Sequence, residues 1–419
     1  MTDHRSLTVI GLGYVGLPLV MEAVHAGLRV HGLDLDLERI AGLASGRSHV
    51  DDISDEQVAE ALTNGFVPTT DPGCLAEADV IVICVPTPLR DTVPDLDSVK
   101  AAAEQLSAAM RPGALVILES TSYPGTTQEV LLPVLERGSR RAGRDFNLAY
   151  SPERIDPGNA EFALRNTPKI VGGVTPACSE AAVAFYELLT DEVVPVSSPA
   201  VAEMTKLLEN TYRQVNIALV NEMAVFCHEL DIDLWEAIAA ATTKPFGFQA
   251  FYPGPGVGGH CIPIDPNYLS HRVRTLGYPF RFVELAQEIN GRMPAFVVDR
   301  LMHLLNESGL ALRGAKVLLL GVTYKADVAD ARESPSLIVA ERLMALGAEV
   351  SYHDPFVPRW RVAGKHLSCV TDTTAAAAKA DVTVVLQTHQ QYDLEDIAKN
   401  AQRVFDTRGR LDGANVTRL

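Results

Sequence analysis

Residues 7–34 restrict the fold more than any other stretch. Leu7-Thr8-Val9-Ile10 reads as a buried strand and runs directly into Gly11-Leu12-Gly13-Tyr14-Val15-Gly16. An apolar helical stretch from Leu17 to Ala26 follows, and a second strand, Arg29-Val30-His31-Gly32-Leu33, ends at Asp34. This is the dinucleotide-binding βαβ pattern in the context it requires. Gly11 makes the tight turn, Gly13 lets a pyrophosphate approach, and Gly16 packs helix on strand. Asp34 lies 23 residues beyond Gly11, where an acid hydrogen-bonds the adenosine ribose hydroxyls. A carboxylate there repels a 2′-phosphate, so NAD is favoured over NADP. The competing reading is a glycine turn in an unrelated α/β domain.

Two further apolar strands extend this domain. Val80–Val85 ends in Pro86-Thr87-Pro88, and Leu115–Glu119 ends in Ser120-Thr121. Ligands of an open parallel sheet lie beyond the carboxyl ends of its strands, which puts Thr87 and Thr121 in the cofactor cleft. Asn147–Tyr150 leads into Ser151-Pro152-Glu153-Arg154, another strand end with a carboxylate, although a solvated loop acid reads the same way. Val193–Val196 closes the domain, and Cys84, inside a strand, reads as core.

From Ala200 to about Leu230 there is little Gly or Pro, which suits a helix of ~45 Å acting as a spine. Glu203, Lys206, Asn210 and Arg213 recur on it at helical spacing and share one face, or form a solvated stripe. Helices are expected at Leu234–Thr242 and Pro279–Asn290. The same segment carries Gly254-Pro255-Gly256-Val257-Gly258-Gly259-His260-Cys261, with Asp265 four residues on. So many glycines fit a loop whose backbone passes close to a ligand and presents Cys261 from its end, or a surface turn with an incidental cysteine. The final third repeats the opening theme. Strands at Lys316–Gly321, Glu349–Asp354, Asp381–Leu386 and Arg403–Asp406 surround a helix from Pro335 to Leu346, without a full GxGxxG. A nucleotide or nucleotide-sugar fits there, and a second intact dinucleotide site does not. His353 and His389 read as ordinary strand-end residues.

With 419 residues the chain is long for one core. Its net charge of −17 argues against nucleic acid, and no apolar run approaches a bilayer span. Met1–Ser6 leaves no room for a signal peptide before the first strand. Six scattered cysteines without paired spacing argue for reduced thiols in a cytoplasm and against a metal site.

Together these pieces resemble the UDP-glucose/GDP-mannose dehydrogenase superfamily over essentially the whole length. The matching runs are Gly11–Gly16, Val85-Pro86-Thr87-Pro88, Glu119-Ser120-Thr121, Ser151–Arg154, Lys206-Leu207-Leu208-Glu209-Asn210, Gly258–Cys261 with Asp265, and Lys325-Ala326-Asp327 followed by Arg332-Glu333-Ser334. The resemblance implies two Rossmann-like α/β domains with parallel sheets, joined by an all-α middle domain with a long central helix. The expected boundaries are 1–198 for NAD, 199–305 for the helical domain with the cysteine loop and a homodimer interface, and 306–419 for the UDP-sugar.

Members of that family oxidise the C6 alcohol of a nucleotide sugar to a carboxylate with two NAD. By resemblance Cys261 is the nucleophile, Lys206 and Asn210 stabilise oxyanions, Asp265 and Thr121 hold the water, and Glu153 assists thioester hydrolysis. The implied cofactor contacts are Gly11, Gly13, Tyr14, Val15, Gly16, Asp34, Arg39, Pro86, Thr87, Thr121 and Arg332. The implied substrate contacts are Glu153, Arg154, Lys206, Asn210, Phe251, Tyr252, Gly254, Gly258, Tyr324, Lys325 and Arg408. Pro157 stands where UDP-glucose-oxidising members carry a second glutamate. With Phe248–Gly256 and Asn290–Pro294 it resembles the UDP-N-acetylhexosamine branch. The wording around Lys244-Pro245-Phe246-Gly247 is nearest UDP-N-acetylglucosamine 6-dehydrogenases. UDP-N-acetylmannosamine and UDP-glucose are the alternatives within the class, and a non-catalytic nucleotide-sugar-binding protein is the alternative outside it.

Overall fold

The computed structural model describes residues 6–419 other than 91, 92, 157, 160 and 260. Pro157 and His260, used above, and the Met1–Arg5 run therefore lie outside the described residues. The chain divides into two compact units, one of residues up to Glu209 with Asn267–Pro279, the other of Asn210–Pro266 with Phe280–Leu419.

The first unit is built on an eight-stranded sheet of β1 (Ser6–Ile10), β2 (Arg29–Leu33), β3 (Phe66–Thr69), β4 (Val80–Ile83), β5 (Leu115–Leu118), β6 (Asn147–Tyr150), β7 (Lys169–Gly173) and β8 (Val193–Val196). Their order is β8-β7-β6-β5-β4-β1-β2-β3, and every neighbouring pair is parallel except β6 with β7. β4, β5 and β7 are buried along their whole length, as strands covered on both faces must be. Helix α1 (Gly16–His25) joins β1 to β2, and β4 flanks β1 on its other side. The strand order thus reverses at β1, and the carboxyl ends of β1 and β4 bound the crevice where such sheets bind ligands.

Helix α2, Pro199–Glu229, has 31 residues. Its polar stripe is not solvated: Glu203, Lys206, Asn210, Gln214 and Asn221 are all buried. Arg213 does not belong to it. Arg213 is exposed and Gln214 takes the stripe position, because four residues advance the helical face by only ~40° whereas three turn it back by ~60°.

In the second unit α3 (Leu234–Thr242) and α5 (Arg281–Glu307) pack with a five-stranded parallel sheet of β9 (Lys316–Leu320), β10 (Glu349–His353), β11 (Val382–Val385), β12 (Val404–Asp406) and β13 (Val416–Arg418), ordered β10-β9-β11-β12-β13. One core joins Val220, Trp235, Val297 and Leu301 of the helices to Val317 and Phe405 of the sheet. α4 is Asp265–Thr275 and α6 is Pro335–Ala345. The helix expected to stop at Asn290 continues through Pro294 to Glu307. Proline offers no N–H to the carbonyl four residues back. Loop residue Gly256 packs on that carbonyl, its hypothetical Cβ 3.3 Å from Asn290 O. Among the described residues no helix is long and apolar enough to cross a membrane.

Candidate active site

In the first unit the glycine turn follows β1. A Cβ on Gly16 would sit 1.9 Å from the Gly11 carbonyl oxygen, so helix and strand cannot close with any larger residue there. Gly13 differs: nothing lies within 4 Å of its Cβ position. The chain's own packing does not demand a glycine at 13, whereas a pyrophosphate approaching the backbone does. Tyr14 and Val15 are half-buried against the core below.

Asp34, at the end of β2, is buried and holds the turn directly. Its Oδ2 accepts from Leu12 N at 2.8 Å and Arg39 Nη1 at 2.7 Å, and its Oδ1 accepts from Asp36 N at 3.0 Å. Burial works to raise its proton affinity, but the Asp36 and Leu12 amides and the Arg39 guanidinium outweigh it and hold the carboxyl below its usual value. An ionised acceptor beside an open glycine cradle fits the ribose and pyrophosphate of NAD. The expected contrast is sharp. Gly16→Ala should cost on the order of 3 kcal/mol or more, while Gly13→Ala should leave the melting temperature within about 2 °C and weaken NAD binding about tenfold or more. Thermal melts and NAD titrations of both variants check this, and an equal loss of stability at Gly13 would make it structural.

Thr87 follows β4 and accepts a hydrogen bond at its carbonyl from Tyr268 Oη, beside exposed Pro86. Half-buried Thr121 follows β5 in a loop tied to α2 by Glu203. The fully buried Glu203 carboxylate accepts from Gly125 N at 2.6 Å and from Thr127 N and Oγ1 at 2.8 and 2.7 Å. Burial drives its pKa up to about 6 against those hydrogen bonds. One turn along α2, buried Lys206 donates from Nζ to the Glu153 carbonyl at 2.6 Å and its carboxylate at 3.2 Å. Arg154 donates to Glu209 Oε1 at 2.7 Å and to the Pro168 carbonyl. Beneath these strand ends Lys169 Nζ lies 2.8 Å from buried Glu119 Oε1, which also accepts from Tyr186 Oη.

In the second unit Asn210 Nδ2 donates to Asp265 Oδ2 at 2.5 Å, and both residues are buried. Cys261 is exposed, and its carbonyl accepts from Ile264 N and Asp265 N in the turn that begins α4. All six cysteines are thiols. The preceding loop is held from both sides. Asn221 accepts from Gly254 N at 2.9 Å and donates to Asn290 Oδ1 at 2.9 Å. Tyr324 crowds Gly258 and Gly259: their Cβ positions lie 2.9 Å from its Cβ and 2.7 Å from its ring.

Arg408 approaches Gly254 and donates from Nε to the Leu386 carbonyl at 2.7 Å, and burial lowers its pKa to about 10. Phe251 packs edge-on to Tyr212 at 5.7 Å, and Tyr252 is exposed. The Lys325 carbonyl accepts from Thr323 Oγ1, and Asp327 N donates to Nδ1 of the buried His389, whose Nε2 lies 3.0 Å from Asp354 Oδ2. His389 is therefore a structural strand-end residue. Arg332, expected at the cofactor, belongs to this second unit and pairs with Asp330 at 2.8 Å.

Glu203 holds the loop after β5, while Asn221 and Asn290 hold the loop before Cys261; of the three, Glu203 was named from the sequence as part of the α2 stripe, and Asn221 and Asn290 were not expected as site residues. The signal for Asn221 was available, since it continues the buried polar stripe of α2. Asn290 requires knowing that α5 packs there.

Three family models match the chain in order: the UDP-glucose/GDP-mannose dehydrogenase family NAD binding domain over residues 5–190, the central domain over 200–292 and the UDP binding domain over 318–418. UDP-N-acetyl-D-glucosamine 6-dehydrogenase of Pseudomonas aeruginosa is 37% identical over 84% of this chain and 83% of its own. NDP-N-acetyl-D-galactosaminuronic acid dehydrogenase of Ralstonia nicotianae is 34% identical over 99% and 98%. The solved structure of UDP-D-ManNAc dehydrogenase from Pyrococcus horikoshii superposes with a TM-score of 0.88 at 33% identity, covering 99% and 98%. The chain belongs to the UDP-glucose/GDP-mannose dehydrogenase family, as an NAD-dependent nucleotide-sugar dehydrogenase.

Proposed function

We propose that the protein oxidises the C6 alcohol of a UDP-N-acetylhexosamine, with UDP-N-acetylglucosamine favoured, to the uronate. The observation that carries the reading is that the chain holds an exposed thiol, Cys261, and two buried donor–carboxylate pairs, Lys206–Glu153 and Asn210–Asp265. A pure binding protein has no use for that thiol. Support for an N-acetylated sugar comes from the three relatives above, whose names differ in epimer and share the acetamido group. UDP-N-acetylmannosamine draws equal support from them, and the preference for the gluco epimer rests on residues 244–247.

Bound NAD accepts the hydride in each of the two oxidations. The chain's residues do the rest. The Cys261 thiolate adds to the C6 aldehyde, forming a C–S bond and an oxyanion. By resemblance, Lys206 and Asn210 are the donors assigned to that charge. Loss of hydride from C6 leaves a thioester. Water held by Asp265 and Thr121 attacks it with help from Glu153, releasing the carboxylate and returning the thiol.

The deciding experiment is NADH formation with UDP-glucose, UDP-N-acetylglucosamine and UDP-N-acetylmannosamine in parallel, counting NADH per sugar consumed. About two NADH per N-acetylated sugar is expected, with the gluco epimer fastest. Turnover confined to UDP-glucose would overturn the assigned branch.

A further inference from the structure

A cleft of about 420 Å³ opens in the second unit beside the C-terminal turn of α2, the start of α3, α5 and β13. None of the residues assigned above lines it. At its wall stands Arg300 of α5, 8% exposed. Its guanidinium lies 5.9 Å from the Phe405 ring centroid and donates one hydrogen bond among the described residues, to the Arg418 carbonyl at 3.2 Å. A guanidinium carries five N–H donors and is costly to take out of water unless a carboxylate or phosphate meets it. No carboxylate among the described residues pairs with it. Burial lowers its proton affinity against the pull of Glu307 and Glu229.

The rest of the lining narrows what could meet that cation. Arg418 is already neutralised, 3.0 Å from Asp233 and paired with Asp412. His303, three residues along α5, and His228, at the end of α2, are exposed at the cleft and add hydrogen-bonding rings near Arg300. Asp231 and Glu307, also exposed there, are acceptors suited to hydroxyl groups rather than to a second anion. One buried cation with open donors, surrounded by acceptors, matches a ligand with a single oxyanion on a hydroxylated body.

We propose that this cleft binds a small sugar phosphate, its phosphate on Arg300 and its hydroxyls toward Asp231 and Glu307. The inference does not depend on which nucleotide sugar the enzyme oxidises. Isothermal titration of the full-length protein with glucose 6-phosphate, at constant chloride, is expected to show one saturable site. Its Kd should be on the order of 0.1–1 mM, with inorganic phosphate about tenfold weaker. Arg300→Met keeps the side-chain length and removes the charge, and should weaken binding at least about tenfold. If that variant fails to fold, His303→Ala at the exposed rim should still weaken binding about threefold. Excess UDP, which occupies the nucleotide-sugar site, should leave this binding unchanged. Unchanged heats in the Arg300 and His303 variants, or binding abolished by UDP, would overturn the proposal.

Discussion

Serine at position 261 is expected to lower uronate release by about 10³-fold or more, with NAD binding unchanged. A serine hydroxyl is a far weaker nucleophile than a thiolate at neutral pH, and a hemiacetal to it gains little from the surrounding donors. The first oxidation, of alcohol to aldehyde, does not need the C–S bond. Cys261→Ser should therefore lower the NADH count per sugar from two toward one, with aldehyde trapped by an added amine such as hydroxylamine. The Cys261 side chain is exposed, so the variant is expected to keep the parent's melting temperature, which a thermal melt checks. Undiminished uronate release from this variant would remove Cys261 from the mechanism.

Lys206 should show the second large effect, and it has two separable parts. Its Nζ lies 3.2 Å from Glu153 Oε2, with the two side chains 7% and 11% exposed. Truncation to alanine strands that carboxylate in a dry environment, for which about 3–5 kcal/mol of lost stability is typical. Loss of a fixed donor to a developing oxyanion separately lowers kcat about 10²- to 10³-fold. The two parts are told apart by setting Lys206→Ala/Glu153→Gln against Glu153→Gln alone. The double change relieves the unpaired charge, so its melting temperature should recover. Glu153 is itself assigned to thioester hydrolysis, so the double variant's kcat is compared with that of Glu153→Gln, and should stay about 10²-fold or more below it. A donor needed only in the transition state lowers kcat and kcat/KM together. If the double variant turns over as fast as Glu153→Gln, Lys206 serves packing alone.

How much of this was readable before the structure depends on the range of the interactions involved. The β1–α1–β2 unit was legible almost to the residue, because turn, periodicity and terminal acid all act within residues 6–34. β7 escaped notice because Pro168, Gly172 and Gly173 dilute its strand signal. The glycines are there because neighbouring backbone comes close, as a Cβ on Gly172 would meet the Ser198 carbonyl at 2.3 Å. The reach of α5 was cut short at Asn290 by reading Pro294 as a stop. Packed against that turn is Gly256, 38 residues earlier in the chain, a contact no local pattern records. The pairs Lys206–Glu153 and Asn210–Asp265 span 53 and 55 residues. Their members were identified by resemblance, but only the structure pairs them.

Asp34 has a consequence for anyone wishing to re-engineer cofactor choice. Besides facing the expected ribose position, it ties Leu12 N, Asp36 N and Arg39 together. Replacing it with a neutral or basic residue, the obvious route to accommodating a 2′-phosphate, also unfastens two backbone amides from the loops that shape the binding crevice. Selectivity and local architecture are inherited as one trait at this position. A successful redesign would have to install a substitute acceptor for Leu12 N before the new coenzyme could find a rigid seat.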